Sequence, residues 1–120
     1  MSEPSENATL IFKIATAAEW SAAAGGVFHG SPDDTRDGYI HFSQAHQLAG
    51  TLARHFRGRN DLVIAAFDAP DFGPDLKWES SRGGELFPHL YGVLVTGKAL
   101  WVEPLSVDSS GATNLPRGLL

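Results

Sequence analysis

The 120-residue chain contains no cysteine. That excludes a disulfide scaffold, a thiolate-ligated zinc, an iron–sulfur cluster and a thiol nucleophile. Basic residues are also scarce, nine Lys and Arg against fourteen Asp and Glu, which leaves a formal charge of −5. So acidic a chain is not expected to hold a nucleic acid by bulk charge, although a local cationic pocket for a small anion is compatible with it. No apolar run nears the roughly 18 residues of a membrane span, so no membrane partner is expected. Met1 to Ala8 lack the basic and apolar regions of a secretory signal, and the expectation is a cytoplasmic protein.

What is present suits one packed domain. Apolar residues make up 42% and charged residues 19% of the chain, a globular composition. A chain of this length buries about 65% of the surface it would expose unfolded. Residues 1–8 read as a disordered lead-in, residues 9–107 as a single domain, and residues 108–120 as a flexible tail.

Thr9 to Ile14, a β-branched and aromatic run, reads as a strand. Thr16-Ala-Ala-Glu19 is a capping box that starts a short alanine-rich helix, and Gly25-Gly26 stops it. Ser31 to Gly38 reads as turn chemistry throughout. Tyr39 to Ser43 alternates as a strand, with Ile40 and Phe42 on one face and Tyr39, His41 and Ser43 on the other. Ser43 then suits the N-cap of a helix over Gln44 to Phe56, whose Ala45, Leu48, Ala49, Leu52 and Phe56 form an apolar stripe. Asp61 to Asp68 reads as a buried strand, and Leu76 to Glu79, Leu90 to Thr96 and Ala99 to Leu105 as further strands, with Gly97-Lys98 as a hairpin turn. The sum is an α+β fold: two short helices packed on a mixed, largely antiparallel sheet of about six strands.

Three motifs could carry chemistry. Asp37-Gly-Tyr-Ile-His-Phe-Ser43 places His41 and Ser43 together at a strand end that runs into a helix, a corner suited to a hydroxylated or anionic ligand. Its other reading is a structural histidine beside an ordinary helix cap. Lys77-Trp-Glu-Ser-Ser-Arg-Gly-Gly-Glu85 places Lys77 and Glu79 on one strand face if Trp78 points to the core. Arg82 then offers a bidentate grip for phosphate or carboxylate, and Gly83 lets backbone amides approach a ligand closely. The competing reading is a solvated hairpin loop. Phe87-Pro-His-Leu-Tyr91 places His89 as acid, base, donor or loop tie beside Tyr91, and Pro88 could be cis. No H-x-H or H-x-x-x-H pair occurs among the five histidines, so no metal site is expected. No G-x-S-x-G nucleophile elbow is present either.

Taken together, I-F-K-I, E-W, D-G-Y-I-H-F-S, L-K-W-E-S-S-R-G-G and F-P-H-L-Y-G resemble the bacterial domain-of-unknown-function 952 family, in matching order from about Leu10 to Leu105. That family is similar in fold, distantly, to the ADP-ribosyltransferase superfamily, whose small split-sheet domains bind NAD in a cleft. The resemblance implies a pocket in which His41 and Ser43 contact the nicotinamide ribose or its phosphate, with Glu79, Arg82 and His89 nearby. Glu79 and Glu103 compete for the role of the superfamily's late catalytic glutamate.

The resulting expectation is a pocket for NAD or an ADP-ribose-like anionic nucleotide, with NAD as substrate or ligand. His41 and Glu79 are the catalytic candidates. Ser43, Lys77, Arg82, Gly83, His89 and Tyr91 are the ligand-binding ones. A non-catalytic module for a small anionic metabolite, or an interaction protein without a ligand, accounts for the same motifs.

Overall fold

A computed structural model describes residues 10–115, without the side chain of Arg82. The anticipated lead-in and the last five residues of the anticipated tail lie outside the described residues.

Strand β1 (Leu10–Thr16) pairs antiparallel with β4 (Leu62–Asp68), and β4 pairs antiparallel with β8 (Trp101–Leu105). Alternation along β1 and β4 sends side chains to two separate cores. Phe12, Ile14, Leu62, Ile64 and Ala66 pack with Leu105 beneath Leu48 and Leu52 of the helix Leu48–His55. On the opposite face Ile11, Ala15, Ala65 and Phe67 pack with Phe28, Ile40, Phe42 and Leu90. One sheet therefore divides the hydrophobic interior into two layers.

A second sheet has the order β3-β6-β5, formed by Ile40–His41, Leu86–Leu90 and Leu76–Ser80. A small third sheet pairs β2 (Val27–Phe28) with β7 (Leu94–Val95). All strand pairs among the described residues are antiparallel. The architecture is α+β with few helices on antiparallel sheets. Among the described residues it has eight strands rather than about six, and their pairing is not mixed.

Among the described residues three α-helices replace the anticipated two. Helix α1 (Ala17–Ala22) starts at the Thr16 capping box, in which Thr16 Oγ1 accepts from the Glu19 amide and Glu19 Oε1 accepts from the Thr16 amide, both at 3.0 Å. Helix α2 (Pro32–Asp37) occupies the segment anticipated as turn. Its start and stop signs are in the sequence: Pro32 in the first turn, Asp34 Oδ2 accepting from the Ser31 amide at 2.9 Å, and Gly38 left-handed (φ 86°) at its end. Helix α3 (Leu48–His55) is shorter than anticipated, because Ala45–Gln47 forms a 3-10 turn first.

Ser43 does not cap that helix. Its amide and carbonyl both pair with Phe12, each at 2.9 Å, which ties the first sheet to the second. The chain therefore leaves extended geometry one residue later, and Gln47 Oε1 accepts from the amide of Gln44, the capping residue. The strand anticipated over Leu90 to Thr96 is also broken. Tyr91 donates its amide to Asp75 at 2.8 Å, and Gly92 packs so closely on Asp75 that a Cβ there would stand 2.6 Å from its Oδ2. Beyond this bend the chain pairs with β2 instead. Gly97-Lys98 lies in a 3-10 turn between strands that pair with different partners, so it closes no hairpin. All described peptide bonds are trans, including the one before Pro88.

The described part of the anticipated tail is packed on the domain. Val107 bridges Thr113, and Leu115 is buried in the core beneath α3. No helix among the described residues is long and apolar enough to cross a membrane.

Candidate functional site

The β3-β6-β5 sheet positions the site by register. Residues directly opposite on antiparallel strands share a face, and so do residues two apart. His41 is opposite His89, and His89 is opposite Lys77. Glu79, two residues beyond Lys77, joins the same face. The reverse face carries Ile40 and Leu90 into the core. Trp78 shares that reverse face with its partner Pro88, although it is 40% exposed at the edge strand.

On the outer face the side chains form a connected group. The Tyr39 ring stacks on His89 with centroids 4.1 Å apart, and it lies 4.6 Å from the His41 ring and 5.1 Å from Tyr91. The His41 and His89 rings meet edge to face at 5.6 Å. His89 Nδ1 lies 2.8 Å from Glu79 Oε1, and the Tyr91 hydroxyl donates to the same oxygen at 2.8 Å. These bonds, from His89 first and Tyr91 second, hold the Glu79 carboxyl below its ordinary range. In return the Glu79 hydrogen bond pushes the Tyr91 hydroxyl up to about 12. The site thus holds a partly exposed, ionised carboxylate beside aromatic ring faces.

A second arm runs inward from His41. Its Nδ1 lies 2.6 Å from Asp34 Oδ1 and its Nε2 lies 3.0 Å from Asp37 Oδ2. Asp34 Oδ2 accepts from Lys13 Nζ at 2.8 Å, with both side chains buried. Burial works to raise the Asp34 carboxyl, but the His41 hydrogen bond and the Lys13 charge outweigh it and leave the group well below its usual range. Burial also pushes the Lys13 ammonium below its ordinary value, with Asp34 opposing that shift.

The family model described as a protein of unknown function, DUF952, matches residues 14–102. The chain belongs to the DUF952 family. Among solved structures, the crystal structure of protein CC0527 from Caulobacter crescentus is similar at 46% identity and a TM-score of 0.86, covering 92% of this chain and 98% of that one. A double mutant of CC0527 matches with a TM-score of 0.85 at the same identity. Its solution NMR structure matches at 48% identity with a TM-score of 0.75, over 86% of this chain and 90% of that one. No curated protein matches the chain.

In this DUF952 domain, five of the anticipated site residues converge: His41, Lys77, Glu79, His89 and Tyr91. The others do not join them. Ser43 is buried at the junction of the sheets, with its backbone committed to Phe12. Gly83 is a left-handed turn residue (φ 69°) at the tip of the β5–β6 hairpin. Glu85 of the same tip binds His46 and Gln47, each at 2.9 Å, which ties the loop to the segment leading into α3. The side chain of Arg82 lies outside the described residues. Glu103 is exposed on β8, in register with Ile64 in the other three-stranded sheet, so Glu79 alone of the two glutamates joins His41.

Sequence reasoning missed Lys13, Asp34, Asp37 and Tyr39 as parts of the site. Lys13 carried a signal, as a charge between Ile11 and Ala15 on an otherwise apolar strand face. Asp34 carried a weaker one, three residues after Ser31 at a helix start. Asp34 and Tyr39 also border a cavity of about 300 Å³, lined further by Val27, His29, Thr35 and Val93. None of the anticipated site residues lines it. Among the described residues no three His, Asp or Glu side chains are grouped to hold a metal ion.

Proposed function

We propose that this protein binds NAD or an ADP-ribose-like nucleotide over the outer face of the β3-β6-β5 sheet and cleaves the nicotinamide–ribose bond, as an ADP-ribosyltransferase-like domain. The observation that carries this reading is the convergence of His41 and Glu79 around His89 on one sheet face, with Tyr39 stacked between the arms.

Cleavage of that bond passes through an oxocarbenium-like state: nicotinamide leaves with the bonding pair, water or an acceptor nucleophile bonds to the ribose carbon and gives up its proton, and a fixed, ionised carboxylate stabilises the cation between. Glu79 meets the requirement, because the His89 and Tyr91 donors favour its charged form. His41 orients ribose hydroxyls, Tyr39 and Tyr91 supply ring faces, and Lys77 supplies positive charge for phosphate. A distant relationship in fold to the ADP-ribosyltransferase superfamily is part of this proposal, and it implies the same substrate class.

Calorimetry with NAD and with ADP-ribose on the native chain and on His41→Ala tests binding. The expected result is saturable heat from the native chain and a loss of at least tenfold in affinity in the variant. No heat at millimolar ligand overturns the reading. Binding without turnover is the second reading, favoured by Glu79 Oε1 already accepting from both His89 and Tyr91. Time-resolved NMR separates the two: free nicotinamide accumulating beyond one equivalent supports cleavage, and binding without product supports a sensor of small anionic metabolites.

A further inference from the structure

The Asp34 carboxylate receives four donors while almost wholly buried. Oδ2 accepts from Lys13 Nζ at 2.8 Å and from the Ser31 amide at 2.9 Å. Oδ1 accepts from the His41 amide at 3.0 Å and faces His41 Nδ1 at 2.6 Å. A carboxylate saturated in this way has one arrangement, and of its two side-chain partners His41 is the more exposed, at 33% against 5% for Lys13. The backbone fixes the same geometry from below. Asp34 lies in α2, and the Asp34 carbonyl accepts from the amide of Gly38, which turns the chain directly into β3.

An ionised carboxylate can only accept hydrogen bonds, so its contact with His41 requires the proton on Nδ1. The outward nitrogen is then Nε2, where the exposed Asp37 waits at 3.0 Å, itself held by Arg36 Nε and NH2 at 2.9 and 3.1 Å. The other neighbours of the ring are Tyr39 and His89, both in aromatic contact. Removing two charges from water is costly, and burying Lys13 with Asp34 is a poor way merely to fill a core. A buried lysine that balances a carboxylate holding a histidine has a purpose in positioning.

We propose that Asp34, neutralised by the buried Lys13, is a positioning residue that locks His41 with Nδ1 protonated and turns Nε2 outward, where a ligand on the outer sheet face competes with Asp37 for it. The part played by the ligand rests on the function proposed above. The locked state of the ring does not.

The test is long-range 1H–15N NMR of the histidine side chains in the full chain, on the native protein and on Asp34→Asn. In the native protein the His41 Nδ1 carries a slowly exchanging proton. In Asp34→Asn that resonance is lost, while the signals of His46 and His55 stay in place. A native His41 with a bare Nδ1, or an Asp34→Asn variant that folds and keeps the native pattern, overturns the proposal. If Asp34→Asn does not fold, the native spectrum decides. A second variant, Asp37→Asn, is expected to leave the Nδ1 proton in place, and its loss there also overturns the assignment. Failure of NAD to bind would leave this spectrum unchanged, so the two proposals fall separately.

Discussion

His89 Nδ1 lies 2.8 Å from Glu79 Oε1, across the β5–β6 pair and two residues off the direct register. A histidine buried on the outer face of a sheet thereby reaches a carboxylate that is 41% exposed. The contact joins the interior of the domain to the surface where a ligand would lie. Tyr91 shares the acceptor, and this makes the arrangement measurable.

The chain has two tyrosines. In a Tyr39→Phe background, spectrophotometric titration reads Tyr91 alone, with a midpoint near the value of about 12 set by Glu79. Glu79→Gln removes the charge opposing phenolate formation, so the midpoint falls toward the ordinary value of about 10. An unchanged midpoint would show that the hydroxyl does not depend on Glu79.

Asp34 makes the fold acid-sensitive. Its carboxyl lies below the ordinary range when folded and returns to about 3.9 when unfolded. The unfolded chain therefore binds the proton first, and the stabilisation is fully present above about pH 4 and is lost as pH falls through the folded value. Asp34→Asn leaves Lys13 buried without its counter-charge, at a cost of about 3 kcal/mol near neutrality. In urea titrations at a series of pH values, the gap between native chain and variant narrows below about pH 4. A gap independent of pH contradicts the assignment.

Gly30 backs directly onto this carboxylate. It has φ 112°, and a Cβ there would stand 2.8 Å from the Asp34 Cβ. Because four donors anchor Asp34, the clash cannot be relieved by a side-chain swing. Gly30→Ala is expected to cost about 3 kcal/mol, combining backbone strain with overpacking. Gly25 has φ 74°, and a Cβ added there would meet nothing within 4 Å, so Gly25→Ala carries the backbone strain alone, about 1–2 kcal/mol. Equal losses for the two variants in chemical denaturation would rule out the steric part.

Leu115 tests where the domain ends. It is 8% exposed and packs with Leu48, Leu52 and Val107. Leu115→Ala should lower stability by about 2–3 kcal/mol, as a buried leucine truncation does. A loss under about 0.5 kcal/mol, typical of a surface substitution, would mean that residues 108–115 behave as the tail anticipated from their composition.

Short-range spacing carried much of this protein. The Thr16–Glu19 capping box formed where the sequence placed it, the runs read as strands over residues 9–14, 61–68 and 76–79 became β1, β4 and β5 within two residues, and of the apolar stripe anticipated over residues 44–56 Leu48 and Leu52 are buried in the shorter α3. Alternation put Lys77 and Glu79 on one face and His41 on the side away from Ile40. Long-range pairing was not legible in that way. Ser43 became a sheet junction rather than a helix cap because Phe12, thirty-one positions away (43 − 12 = 31), competes for its backbone. Segment 90–96 divided because two different sheets recruit its ends. Lys13 and Asp34 are each improbable in a core when taken singly, and only their 2.8 Å contact across 21 positions makes their burial tolerable. Local periodicity therefore determined β1, β4, β5 and the faces of the candidate site. Tertiary packing decided its partners, because a buried charge or an extended backbone edge is satisfied by whichever distant group the fold brings within hydrogen-bonding reach.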